Sequence, residues 1–572
     1  MNMPDDLLSD SDALFARARR RLAEPAWRPY SEALRVRAAH FRNVPATPID
    51  RTRHNWILEE ARWLQRRVLT VALWARLSGE RAAAEDALRM LHGATRWELW
   101  SCYGGPGQRF DLGTGELAAL FGWTVAWLGP MLDDGERQRL AALAGERIFA
   151  PYLEACPEQG QRAWWHAGAL NWNAVCNGGV MVAALLLPEA PGATACQRLA
   201  AIGLESYLAK GINPDGSSSE SIGYWSYGIT YLLHAALAHI HTTGGPHPAF
   251  ALPVLGPAMD FPFAFSTSDG AGLGFGDSNY FLPPPLLFAA CARNGRGDIS
   301  DEMHRRLIPG CSVPPESLDP ILDHLAVEAC ALLYGEDPGE RKLPAPALTS
   351  WPTVGWHLLR ADHLRLGLRG GNNDAPHTMR DLAAITLADD RQVLLASIEH
   401  WPYVRGWFLP EARPQFWEDS TGSKCALLVN GVGQARRCAS ESGVLPDGAW
   451  VDATAAYPKM VTKARRTVRL LADGFLVEDE VASDQAAFPE SRFVSDGTFV
   501  RINERTWMVE RGGSRAYLTF SADAAWAATP CLWPHADPNR PPVATLRVHA
   551  TTPLPGWRLT TRISRTRTAD MA

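Results

Sequence analysis

At 572 residues the chain exceeds a single ordinary hydrophobic core, so two or more domains are expected. A hydrophobic content of 46% with 21% charged residues fits a globular protein, and a formal net charge of -6 argues against a nucleic-acid partner, which selects for a concentrated basic surface. The ten cysteines stand singly with no C-x-x-C pair, so neither a structural zinc site nor a disulfide scaffold is expected.

Read in chain order, the N-terminus MNMPDDLLSDSDALFARARRRL begins acidic and turns basic without an apolar core segment. No secretory leader is expected, which makes the cytoplasm the expected location, or the periplasm or exterior if a leader has been removed. No run reaches the roughly 18 apolar residues of a membrane span, so no membrane partner is expected. Helical spacing of apolar residues then recurs over 57–77, 117–128, 138–149, 197–208, 224–240 and 284–292. Gly129-Pro130, Pro188, Pro191-Gly192 and Gly244-Gly245-Pro246 punctuate these runs. The spacing predicts a helical domain over 1–335, built as paired helices in a bundle or toroid. Four prolines and mixed charges between 335 and 352 predict a linker over 336–352. Beyond it the pattern changes to short apolar or alternating runs: 363–369, 383–387, 392–398, 426–430, 467–471, 474–481, 499–502, 506–510, 516–520 and 543–550. These predict an antiparallel β-sandwich domain over 353–572. The RRTVR segment at 465–469 reads as the solvent face of a strand.

Three blocks carry candidate chemistry. In WWHAGALNWNAVCNGG (164–179), Asn171, Trp172, Asn173 and Asn177 stand directly before an apolar helical run, with His166 close by. In PDGSSSESIGYWSYGITYLLHAALAHI (214–240), Glu220, Tyr224, Trp225 and Tyr227 do the same. A core helix needs no such start, whereas indoles stack on pyranose faces and amides bind hydroxyls or carboxylates. The unusually high count of 22 tryptophans points the same way. The third block runs from Gly370 to Tyr403, where a Gly-Gly-Asn-Asn turn containing Asn372 leads to His377. Taken singly each block fits a buried polar cap or an ordinary turn; taken together they fit a glycan-binding site. Arg405, on the loop after the third block, is a candidate partner for a uronate.

In this order, and across the change from helix to strand, the three blocks resemble the heparinase II/III-like polysaccharide lyases over about residues 164 to 434. Asn171 to Asn177 looks like that family's asparagine-bearing helix start, and Asp215 through Glu220 to Trp225 like its tyrosine segment. Phe275-Gly276-Asp277 looks like a short loop found there, and Leu427 to Gly431 with Gln434 like its late strand and turn. The resemblance implies an (α/α) toroid followed by an antiparallel β domain, with the active site between them and a uronic-acid-containing glycan as substrate. It implies Asn171 as partner of the uronate carboxylate, Tyr224 as base or acid, and His377 as the complementary group. If the lyase reading holds, Tyr224 Oη and His377 are expected on opposite sides of, or jointly flanking, a space one sugar ring wide. One departure stands out. Many members carry a His-x-His pair here, whose second His joins an Asp and another His around a divalent metal. This chain has Met379, Ser397 and Lys424 at those positions. No thioether, hydroxyl and ammonium set replaces such a site, so no metal or other cofactor is expected.

These residue types suit β-elimination from a uronate. A base removes the weakly acidic C5 proton, a neutral or cationic group stabilises the charge that develops beside the carboxylate, and an acid protonates the leaving oxygen. Two other classes fit the blocks less fully: a glycan-binding protein that keeps a lyase scaffold without its chemistry, and a glycoside hydrolase. The hydrolase needs two carboxylic acids flanking the bond, and no spacing pairs Asp215, Glu220 and Asp277.

Overall fold

The computed structural model describes residues 10–44, 56–102, 109–277, 280–318, 326–399, 403, 406–535 and 539–567. The chain forms two compact units, and neither is one continuous stretch. One comprises Met1–Ile212, Trp225–Met259 and Leu282–Leu343; the other comprises Asn213–Tyr224, Asp260–Phe281 and Pro344–Ala572.

The first unit is helical. Its long helices Trp56–Ser78, Leu112–Leu128, Asn171–Leu186 and Ala193–Lys210 pack in that order, each against the next. Asp111 starts the second of these by accepting the backbone N–H groups of Gly113 and Thr114, which have no partner inside the helix. Glycine sets how closely that helix meets Asn171–Leu186. A Cβ at Gly179 would run into the carbonyl oxygen of Gly115, and one at Gly115 would lie 2.9 Å from the carbonyl oxygen of Val175. Gly179→Ala should therefore force the two helices apart and cost about 1–3 kcal/mol. A lowered urea midpoint for the helical unit is the expected result; an unchanged midpoint would mean that the helices separate without cost. Buried charge ties the ends of this unit together. The fully buried carboxylate of Glu328, on helix Val327–Tyr334, accepts from Arg37 at 2.9 Å, Arg66 at 2.8 Å and Thr70 at 3.2 Å. No described helix is long and apolar enough to cross a membrane.

Among the described residues, the second unit carries three antiparallel sheets. A five-stranded meander runs through Leu348–Trp351, Trp356–Ala361, Leu364–Arg369, Ile385–Ala388 and Val393–Leu395. An eight-stranded sheet is centred on the hairpin Val461–Leu471 and Gly474–Ala487, where Leu471 faces Gly474 across a two-residue turn. A four-stranded sheet contains Trp526–Trp533, Val543–Ala550, Pro489–Ser495 and Leu427–Val429. One apolar core, including Leu366, Leu368, Ile385, Val468, Phe475, Phe493 and Leu546, draws on strands from all three.

Two details correct the sequence reading. Leu348–Trp351 lies inside the expected linker yet pairs with Trp356–Ala361 as an edge strand, a position that tolerates nearby prolines. Arg466, read as part of a solvent face, is fully buried. It makes a two-pronged ion pair with Asp479 at 2.6 and 2.9 Å and donates to the carbonyl oxygens of Ala383 and Cys425. Its neighbours Arg465 and Arg469 keep the outer positions, Arg465 over the ring of Trp450 and Arg469 on Asp447 and Glu478.

Two segments from between the helices belong to the sheet-bearing unit. Asn213–Tyr224 is anchored by Asp215, whose carboxylate accepts from Ser217 and, at 2.8 Å, from the backbone N–H of Thr353. Asp260–Phe281 lies on the five-stranded sheet: Phe261 and Phe265 pack on Trp351 and Trp356, Arg365 donates to the carbonyl of Ser266, and Thr386 donates to that of Leu273. These anchors bring Tyr224 and Asp277 to the same unit as His377.

Candidate active site

His377 stands at the end of the Gly-Gly-Asn-Asn turn. The side-chain oxygen of Asn372 accepts the backbone N–H groups of Asp374 and Ala375 and so shapes the turn, while its own residue is exposed. His377 has a φ of +64°, a left-handed conformation costing roughly 1–3 kcal/mol for a residue with a Cβ. Contacts on every side hold it there. Its carbonyl accepts the backbone N–H of Asp277 at 2.8 Å. That approach requires Gly276, which has a φ of +83° and where a Cβ would lie 2.6 Å from the same carbonyl oxygen. Its ring stacks on Tyr224 with centroids 3.7 Å apart and planes at 23°, and meets Phe408 edge-on.

The imidazole lies between two carboxylates. Nδ1 is 3.2 Å from Oδ2 of Asp277, and Nε2 is 3.8 Å from Oε1 of Glu220. A carboxylate can only accept, so the Nδ1 contact assigns the ring proton to Nδ1 and leaves a lone pair on Nε2 of the neutral ring. Asp277 is fully buried and strongly supported. Arg413 binds both of its oxygens at 3.0 and 3.1 Å, and Trp407 Nε1 approaches Oδ2 at 3.3 Å. Burial would push the Asp277 carboxyl up, but Arg413 and then His377 outweigh it and hold it below the usual carboxylate range. Arg413 continues the chain: its Nε donates to Asp419 at 2.8 Å, Nη2 donates to the carbonyl of Thr378, and its guanidinium lies over the ring of Trp407. Arg380 and Arg436 also bind Asp419. A single network of alternating charge thus fixes the orientation of His377.

The phenol of Tyr224 sits beside this network, 2.7 Å from that of Tyr403. Burial, then the Asp277 carboxylate, push the Tyr224 phenol well above its ordinary value, and burial does the same to Tyr403. Both phenols are therefore neutral at neutral pH.

The structure brings together Glu220, Tyr224, His377 and Asn372 in one unit. Tyr224 and His377 do not lie on opposite sides of a sugar-wide space, because their rings are in stacking contact. His166, Asn171, Trp172, Asn173, Trp225 and Tyr227 belong to the helical unit. Asn171 is buried in the first turn of helix Asn171–Leu186. Half-buried Trp172 packs near the exposed ring of Trp164, centroids 5.2 Å apart. His166, Asn173 and Tyr227 turn polar atoms inward. Asn173 donates to the carbonyl of Gly168 and accepts from Asn177, His166 Nε2 reaches the carbonyl of Leu199, and Tyr227 donates to buried Glu116, which also holds Arg62. Trp225 is 1% exposed and is a core residue. Arg405 lies outside the described residues.

Sequence reasoning did not pick out Arg413 or Trp407. It named Asp277 within a short loop and among the acids a hydrolase would need, and Tyr403 on the loop at the end of the third block, without linking either to His377 or Tyr224. The usable signal for Asp277 was its place after a glycine in an apolar stretch, since a buried carboxylate needs a cationic partner. No local signal marks Arg413.

Nothing matches the chain among protein-family models or among curated proteins. Solved structures do match. A heparinase III is similar with a TM-score of 0.66 and 12% identity, over 94% of this chain and 86% of that one. A mutant heparan sulfate lyase from Pedobacter heparinus matches with a TM-score of 0.59 and 12% identity, over 98% and 89%. A Streptomyces coelicolor chondroitin AC lyase, solved with chondroitin sulphate, matches at 0.56 and 14% identity, over 97% and 83%. The chain therefore has the polysaccharide-lyase fold: a helical N-terminal region followed by antiparallel sheets.

Proposed function

We propose that this chain is a polysaccharide or oligosaccharide lyase that cleaves uronic-acid-containing glycans by β-elimination and leaves an unsaturated uronate end. We propose also that its helices close into an (α/α) toroid and its sheets stack as a sandwich. The observation that carries the functional reading is the stacked Tyr224–His377 pair, backed by the Asp277–Arg413–Asp419 network.

In this reading His377 Nε2 takes the proton from C5. The C5–H electrons form the C4–C5 double bond, the bond from C4 to the glycosidic oxygen breaks, and the phenol of Tyr224 gives that oxygen its proton. The neutral state of Tyr224 supports its role as acid; Tyr403, 2.7 Å away, returns a proton to it. Glu220, 3.8 Å from Nε2, stabilises the imidazolium formed there.

A hydrolase is disfavoured by the same geometry. Asp277 is clamped by Arg413 and held ionised, and Asp215 is committed to Ser217 and Thr353, so neither suits the role of general acid. The deciding experiment incubates the protein with alginate, heparan, chondroitin, hyaluronan and polyglucuronate. Elimination yields a product absorbing in the ultraviolet, because the new double bond is conjugated to the carboxylate. New reducing ends without absorbance would identify a hydrolase. Binding with neither would leave a glycan-binding protein.

A further inference from the structure

Lys424 is a buried charge that the proposed chemistry does not use. Its side chain is fully buried, and its ammonium donates to Sδ of Met379 at 2.8 Å and to the carbonyl oxygen of Ile398. Burial pushes this ammonium down to about 8, while Asp381 and then Asp419 oppose the shift, so it is charged at neutral pH. Asp381 is equally buried and lies 3.1 Å from Arg369, with Lys424 as its next cationic neighbour.

One ammonium thus joins three segments distant in sequence: Met379, two residues beyond His377, the chain leaving strand Val393–Leu395, and the chain entering strand Leu427–Val429. The left-handed conformation of His377 persists only if the residues after it are held in place. Arg413 holds Thr378 and Arg380 is held by Asp419, but the side chain between them, Met379, is held by Lys424.

The family resemblance expects metal ligands at residues 379, 397 and 424. The thioether, hydroxyl and ammonium found there do not fit a divalent ion, and an ammonium repels one. Among the described residues no three His, Cys, Asp or Glu side chains are grouped to hold a metal.

We propose that Lys424 is a built-in cation that positions His377, an ammonium carried by the fold in place of a dissociable ion. Lys424 is a positioning residue, since it touches neither a substrate nor the reacting atoms. Its kinetic consequence rests on the lyase reading; its structural consequence does not.

The test uses the full chain, Lys424→Ala and Lys424→Met, with ethylammonium as probe. Lys424→Ala should lose about 10-fold or more in kcat with KM unchanged, as expected when a reacting group is misplaced. Ethylammonium should restore kcat saturably in Lys424→Ala and leave Lys424→Met, whose side chain fills the space, unrestored; sodium chloride at equal ionic strength should restore neither. Chelator should leave wild-type turnover and melting temperature unchanged. The second readout is nuclear magnetic resonance of isotope-labelled histidine, with His377 assigned through His377→Gln. Its resonance should move in Lys424→Met, and in Lys424→Ala it should move and return with ethylammonium. Wild-type kcat together with an unmoved His377 resonance in both variants would overturn the proposal, as would a wild-type protein that loses melting temperature on chelation. If the wild-type chain makes no unsaturated product, the lyase reading fails and the resonance of His377 alone decides this one.

Discussion

Tyr224→Phe should abolish most turnover while leaving the fold intact. The substitution removes one oxygen and keeps the ring that stacks on His377 at 3.7 Å. What it takes away is the bond to Tyr403 at 2.7 Å, worth about 1 kcal/mol, and the proton that the leaving oxygen would receive. If the phenol is the general acid, kcat should fall by about 100-fold or more with little change in KM. Tyr403→Phe removes the other half of the pair and should cost less, because Tyr224 keeps its proton. The measurement is initial rate by ultraviolet absorbance on whichever glycan gives an unsaturated product, with circular dichroism as the control on folding. Near-full activity of Tyr224→Phe would remove Tyr224 from the mechanism. Tyr227, one helical turn on, is no substitute, because its phenol is spent on Glu116.

Arg413→Met should have the largest effect on stability. Arg413 neutralises two fully buried carboxylates, Asp277 and Asp419. Asp419 retains Arg380 and Arg436, whereas Asp277 is left with His377 and Trp407. Removing one partner of a buried pair typically costs about 3–5 kcal/mol, since the remaining charge stays out of water. The urea midpoint of the sheet-bearing unit should fall accordingly. The sign of the pH dependence provides a second check. In the wild type the Asp277 carboxyl is held below its ordinary value of 3.8, so its contribution is present above that pH and is lost as pH falls through the lower folded value. Without Arg413, burial dominates and raises that carboxyl. The unpaired carboxylate then takes up a proton more readily folded than unfolded, and the deficit of Arg413→Met should narrow as the pH is lowered. A deficit independent of pH would locate the loss in packing against Trp407 instead of in charge.

The sequence by itself determined the change from a helical to a strand-rich region and several of the elements, because periodicity is a local property; strands such as Leu348–Trp351, Pro489–Ser495 and Leu554–Ser564 carried no alternation clear enough to mark them. Apolar spacing over 57–77 corresponds to helix Trp56–Ser78, and the run over 543–550 coincides with strand Val543–Ala550. It also placed Tyr224 and His377 inside candidate blocks, since a phenol at a helix start and an imidazole after a Gly-Gly-Asn-Asn turn are local patterns too; the family resemblance picked them from those blocks. Only the tertiary structure decided what those two groups do to each other and what supports them. His377 meets Asp277 across 100 positions, Asp277 meets Arg413 across 136, and Tyr224 meets Tyr403 across 179. The same limit explains the inward amides. Asn173 and His166 are polar residues beside a candidate site, and nothing local shows that backbone carbonyls of Gly168 and Leu199 take up their hydrogen bonds. Partners of this kind are set by which segments the sheet edges and helix ends bring together, and that is a property of the folded chain.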